Sequence, residues 1–180
     1  MAKINESFKE FIDEILKNSE TYHNRRREVT RYQIPSYTFV HDMADGFPAL
    51  GLKKLDIKSV VGELLWFLRG DNDVKYLNDN GIRIWNYDAY NWHVKGCEAE
   101  GIEPKTKVDF LSELKKGASA SVGENYSVKW TNFKGTNQVE NIINGMIEDI
   151  MGSRLLLTAW DPSALNKTAL PPCHYGFQII

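Results

Sequence analysis

The sequence predicts an α+β chain, and three observations carry that prediction. Apolar residues recur at helical spacing near the N-terminus and again over 137–150. A nearly continuous apolar segment runs from Ile57 to Leu68, and short alternating or apolar runs over 29–43, 154–160 and 173–180 read as strands. With 180 residues, 42% of them hydrophobic, the chain is long enough for one sizeable core and is read as a single domain over 1–180. Its net charge of −2 leaves no electrostatic footprint for long nucleic acid, and no apolar run is long enough to cross a bilayer. Small molecules are therefore the expected partners. Cys97 and Cys173 form neither a disulfide framework nor a zinc spacing, and no signal peptide precedes the first helix, so a reducing cytoplasm is expected and no metal is.

In chain order, Ile4, Phe8, Phe11, Ile12, Ile15 and Leu16 recur with charged residues between them, which predicts an amphipathic helix over 3–17. Val29, Tyr32, Ile34, Tyr37, Phe39 and Val40 surround a central proline and predict one or two strands, followed by a turn over 45–48. The segment 57–68 is too apolar for a surface helix and is expected to be buried on nearly every face. A short helix over 73–80 follows, and 82–86 alternates like a strand. Residues 87–122 read as irregular, with a short helix near 107–115 and a flexible small-residue connection over 116–123. Val139, Ile142, Ile143, Met146, Ile147 and Ile150 share one face of a helix over 137–150. A buried strand over 154–160, a turn or capped helical turn over 161–165 and a last strand over 173–180 complete the chain.

Two residues stand out chemically. Pro171 and Pro172 fix their φ angles and hold the approach to Cys173 in a stiff extended path, the mount a nucleophile needs. A thiolate is the attacking form, so Arg154 or His174 matters if the fold brings either close; the other reading is a buried thiol opening a core strand. Glu63 interrupts the most apolar helix. A buried carboxylate without a partner costs several kcal/mol or takes up a proton, so a partner or a function must account for it.

Taken together, Asp-Gly-Phe-Pro (45–48), Lys-Lys (53–54), Gly-Glu-Leu-Leu-Trp-Phe-Leu-Arg-Gly (62–70), Ile-Trp-Asn (84–86), Tyr126 with Trp130, Ala-Trp-Asp-Pro (159–162) and Ala-Leu-Pro-Pro-Cys-His (169–174) resemble the thymidylate synthases and their phage relatives, the pyrimidine hydroxymethylases. The order and spacing of these motifs agree, and the resemblance covers nearly the whole chain except 88–122, which reads as an insertion. It implies a mixed sheet with flanking helices and a homodimer joined back to back through that sheet. It also implies that Cys173 adds to C6 of a pyrimidine deoxynucleotide, dUMP or dCMP, and that C5 then takes a one-carbon unit from 5,10-methylenetetrahydrofolate. Glu63 would move protons around the pyrimidine and the folate, Tyr126 would assist proton removal at C5, and Ile84, Trp85 and Leu170 would pack against the folate. Lys53 would line the folate tail. Arg26 would bind the substrate phosphate, and Arg154 would reach the partner's site across the dimer as a catalytic and phosphate-binding residue, a task that suits the planar guanidinium fork. Read alone, Arg25, Arg26 and Arg27 are a solvated basic run. The retained Trp85 and Leu170 favour methylation of dUMP over hydroxymethylation.

Three departures qualify the resemblance. Ser153 stands where most synthases carry the first of two arginines; Arg27, Glu28 and Val29 replace the usual small residues after the loop arginine; and the sequence stops at Ile180 within a strand. The last implies an N-terminal, truncated part of the fold whose base-reading residues lie elsewhere, with a non-catalytic fragment and a separate C-terminal segment as the open alternatives.

Overall fold

The structure, a computed structural model, describes residues 3–24 and 28–180. It is mixed α+β and falls into two compact units, 1–56 and 57–180. The basic run Arg25, Arg26 and Arg27, including the expected phosphate ligand Arg26, lies outside the described residues.

In the first unit, helix α1 (Lys3–Asn18) follows the predicted periodicity. It precedes an antiparallel hairpin of β1 (Glu20–Asn24) and β2 (Val29–Gln33), with Glu20 opposite Gln33 and Asn24 opposite Val29. Phe8 and Phe11 of α1 pack against Tyr37 and Phe39 with ring centroids 4.9–6.4 Å apart, so the apolar stripe of α1 is met by aromatic residues rather than by a broad sheet. The turn expected over 45–48 lies earlier, as a 3₁₀ turn, Met43–Asp45, that shares only Asp45 with it and is capped by the Asp42 carboxylate accepting from the Ala44 N–H.

The second unit contains α2 (Ile57–Leu68), α3 (Lys75–Asp79), α4 (Asn86–Glu100), α5 (Lys107–Lys115), α6 (Tyr126–Thr131) and α7 (Gln138–Glu148), with β3 (Leu155–Thr158) and β4 (Gly176–Ile179). Its core is aromatic. Phe67 packs against Trp66, Trp85, Tyr126 and Trp130 at centroid distances of 5.0–6.4 Å, and Leu77, Val122 and Leu157 are fully buried around this cluster. Helix α2 is less buried than its composition predicts: only Trp66 and Phe67 are inside, while Val60, Val61, Leu64, Leu65 and Leu68 are 43–50% exposed. Gly62 explains its close approach to the following loop, because a Cβ there would collide with Cδ1 of Ile82.

Three expectations are corrected. The run 82–86 is not a strand; Ile82 and Trp85 are buried from a loop and Asn86 begins α4. Residues 87–100 are helical rather than irregular, because Ala89, His93 and Cys97 form an i, i+4, i+8 stripe, with His93 stacked 5.1 Å from Phe110 of α5, and Gly101 ends the helix at φ +69°. The connection 116–123 is pinned rather than loose. Val74 N–H donates to the Ala120 carbonyl, Val122 N–H to that of Asn72, and Ala169 N–H to that of Val122. Small side chains there permit a close backbone approach, and their composition alone mimics a linker.

The predicted helices over 107–115 and 137–150 form as α5 and α7, each capped from its N-terminal neighbour. Thr106 accepts from the Asp109 N–H, and Asn137 accepts from the Glu140 N–H. The strands predicted near 154–160 and 173–180 pair antiparallel as β3 and β4, Leu155 opposite Ile179 and Leu157 opposite Phe177. Among the described residues, the strands make two antiparallel two-stranded ladders. No described helix is long and apolar enough to cross a membrane.

Candidate active site

The segment bearing Cys173 is fixed at both ends. Upstream, Thr168 bridges Gly123 and the Ala169 N–H donates to Val122; downstream, β4 begins at Gly176, and the Ala159 N–H donates to the Tyr175 carbonyl at 2.7 Å. Gly123, at φ +75°, allows the approach, since a Cβ there would strike the Lys167 carbonyl. Between these anchors Pro171 and Pro172 leave Cys173 exposed, which removes the buried-thiol reading.

Cys173 borders a cavity of about 340 Å³ whose walls also include Glu63, Ile84, Trp85, Tyr126 and Leu170. Seven of the residues singled out from sequence, His174 among them, are thus brought together from α2, the start of α4, α6 and the proline loop. Phe67, Asp88 and His174 complete the lining. Arg154 precedes β3, is exposed and does not line this cavity. Lys53 belongs to the first unit and is exposed. A larger recess of about 470 Å³ beside β1 and β2 has, among the described residues, no cysteine, histidine or lysine in its walls.

Glu63 is half-buried and has a partner: its Oε1 accepts from Nε1–H of Trp85 at 2.6 Å. The contact fixes the indole against the cavity and leaves the second carboxylate oxygen for other work. Tyr126, 6% exposed, accepts the Cys173 N–H on its hydroxyl oxygen. Burial, assisted by its contact with the Cys173 side chain, pushes the phenol up to about 12, so it remains neutral with its proton available to donate. The His174 ring stacks on Tyr126 at 4.5 Å and meets Trp130 edge-on at 5.9 Å. Burial lowers its pKa, which favours the neutral imidazole over a cation beside the thiol.

Asp88 is the residue that sequence reasoning missed. Burial raises its carboxyl above the usual range against the pull of its own backbone N–H. Once α4 is known to start at Asn86, Asp88 lies one helical turn beyond Trp85 and faces the same cavity; reading 82–86 as a strand concealed this. The lining therefore combines an exposed thiol, two carboxylates, a neutral phenol, an imidazole, and the apolar walls of Phe67, Ile84, Trp85 and Leu170. This arrangement can hold a flat heterocycle against a nucleophile and move protons at its edge.

Lys129 stabilises the helix that carries Tyr126. Its ammonium, 7% exposed, lies 2.5 Å from Glu124 and 3.3 Å from the buried Asp161, joining α6 to the 3₁₀ turn Pro162–Ala164 that precedes the cysteine loop. Gln138 adds a second tie, donating to the carbonyls of Lys129 and Thr158 and accepting the Thr158 N–H.

The family model described as thymidylate synthase matches residues 6–180. Among curated relatives, a thymidylate synthase from Mycoplasma genitalium is 34% identical over 169 residues, covering 91% of this chain and 58% of the relative. One from Mycoplasma mobile is 36% identical over 143 residues, covering 77% and 49%, and one from Phytoplasma mali is 33% identical over 170 residues, covering 92% and 58%. The chain spans about half to three fifths of the length of these relatives. With its motifs in order along nearly all of the matched length, the chain belongs to the thymidylate synthase family.

Proposed function

We propose that this chain bears the nucleophile of a cytoplasmic methyltransferase that converts dUMP to dTMP. The observation that carries the reading is an exposed Cys173, set by two prolines at the rim of a cavity whose other walls hold Glu63, Trp85 and Tyr126. The Sγ thiolate adds to C6 of the pyrimidine, the C5–C6 π electrons move toward the C4 carbonyl, and C5 becomes nucleophilic. Methylenetetrahydrofolate, when bound, supplies the one-carbon unit and the hydride that reduces it. The flat apolar face of Ile84, Trp85 and Leu170 suits such a heterocycle, and Trp85 and Leu170 support methylation over hydroxymethylation.

In this reading, Glu63 keeps one oxygen on Trp85 and moves protons at the substrate carbonyl with the other. Neutral Tyr126 positions the Cys173 backbone and assists removal of the C5 proton by holding the water that carries that proton to solvent. On completion Sγ leaves C6 and the double bond returns. Lys53 would contact the folate tail, and Arg26 and Arg154 would bind the substrate phosphate, Arg154 from the second copy of a homodimer. The 53% exposure of Leu156, on the face of the β3–β4 ladder turned away from the buried Leu155 and Leu157, supports association through that face.

Intact mass spectrometry after incubation with 5-fluorodeoxyuridylate and methylenetetrahydrofolate tests the proposal, because the analogue lacks the removable C5 proton and arrests the covalent complex. The expected result is a mass gain of nucleotide plus folate in the wild type and none in Cys173→Ser. A folded wild type with no gain, or an equal gain in Cys173→Ser, overturns it.

A further inference from the structure

A second recess lies on the other side of the turn that opens α4. Ile84, Trp85 and Asp88 line the cysteine cavity, whereas Arg83, Asn86 and Tyr87 face a cavity of about 270 Å³ completed by Lys107, Leu111 and Lys115 of α5. Among the described residues, three cations line it and no carboxylate does. Among the described residues none of the three has an ion-pair partner, although Lys75, Lys105, Lys129, Lys134 and Lys167 all do. In a chain with 24 acidic and 22 basic residues, three uncompensated cations around one small recess carry a repulsion that an anion relieves.

The geometry indicates the shape of that anion. Lys107, Leu111 and Lys115 occupy i, i+4 and i+8 on one face of α5, so the lysine backbones are about 12 Å apart along the axis. Lys107 Nζ is held 4.2 Å over the Tyr87 ring at one end. Asn86, 8% exposed, exchanges one hydrogen bond in each direction with Asn78, which leaves its second amide proton unspent. Arg83 adds a planar fork suited to phosphate oxygens. A chain of linked phosphates matches this spacing of the lysine backbones better than a single phosphate does.

We propose that this recess binds an elongated phosphate polyanion of the di- or triphosphate type, at a site separate from the cysteine cavity. The proposal requires no methyl-transfer chemistry, so it stands or falls apart from the proposed function.

Titration calorimetry with tripolyphosphate, pyrophosphate, orthophosphate and citrate tests it. Tripolyphosphate should bind tightest and orthophosphate weakest, with affinity falling as salt rises from about 50 to about 200 mM. Arg83→Gln, Lys107→Gln and Lys115→Gln should each weaken tripolyphosphate by about tenfold. Lys75→Gln, which removes a paired lysine elsewhere, should not. These side chains are exposed, and the urea midpoint of each variant confirms its folding. Absence of binding, or binding unchanged in the triple variant, overturns the site. Citrate binding more tightly than tripolyphosphate assigns the recess to carboxylates and overturns the phosphate identity.

Discussion

Replacing Glu63 separates its structural role from its chemical one. Trp85 is 5% exposed and its Nε1–H has Glu63 as its acceptor at 2.6 Å. Glu63→Met keeps the side-chain length but leaves that buried donor without a partner, at a cost of about 2–3 kcal/mol, the upper part of the range for an unpaired buried group. Glu63→Gln keeps an acceptor and loses the extra strength of a charge-assisted bond, so its cost is roughly 1 kcal/mol. All five tryptophans lie in the second unit, and tryptophan fluorescence during urea unfolding therefore reports that unit alone. With a slope of about 2 kcal/mol per molar urea, the methionine variant should unfold about 0.5–1 M earlier than the glutamine variant. In the mass assay Glu63→Gln should remain folded yet form the adduct much more slowly. Midpoints for Met and Gln within about 0.2 M of each other refute the indole–carboxylate contact. Wild-type adduct formation in Glu63→Gln refutes the proton-transfer role.

Two further perturbations test the supports of the cavity. Gly62→Ala should destabilise the second unit by about 1–3 kcal/mol through collision with Ile82, and adding Ile82→Val, which removes Cδ1, should recover most of that loss; additive urea midpoints refute the contact. Donation from the Ser163 hydroxyl and backbone, together with the Lys129 ammonium, holds the Asp161 carboxyl at about 2 against an ordinary value near 3.8. Because the folded pKa is the lower one, Asp161 contributes its stability above about pH 4 and loses it as pH falls toward 2. Asp161→Asn should flatten the urea midpoint across that window, and an unchanged slope counts against the ion pair.

What the sequence revealed and what it concealed differ for physical reasons. α1 and α7 were legible because one face is apolar and the other is not, and both strands that flank the cysteine loop were legible because they are short and dense in Leu, Phe and Ile. α4 was hidden because its inward stripe is Ala89, His93 and Cys97, residues that carry little hydrophobic signal, while Tyr90 packs against Phe110 of α5 and Tyr87 lines a recess. The same misreading concealed Asp88 and the cluster around Arg83, since a helix beginning at Asn86 sorts 83 to 88 onto two faces. Composition overstated the burial of α2, because apolar content records what a helix can bury and not how much of it this chain covers. Glu63, Tyr126 and Cys173 come from separate segments; only a packed aromatic cluster makes them neighbours.

The charges around Cys173 lead to a last prediction. Two carboxylates and an imidazole whose charged form burial disfavours line the cavity with no lysine or arginine among its described lining residues, so a cation brought from outside the lining would favour the attacking thiolate. Arg154 is exposed in its own chain, away from the cavity, which fits a side chain acting on a second copy. If it does so, Cys173→Ser and Arg154→Ala are complementary. A mixed dimer contains one site with the cysteine of one copy and the arginine of the other. Random reassociation of equal amounts makes half the dimers mixed, so about one quarter of wild-type sites should form the 5-fluorodeoxyuridylate adduct, although neither variant alone does. If Arg154 served its own chain, every site in the mixture would lack one of the two residues. An adduct yield no higher than that of the separate variants, in a mixture shown by mass to contain mixed dimers, refutes the sharing.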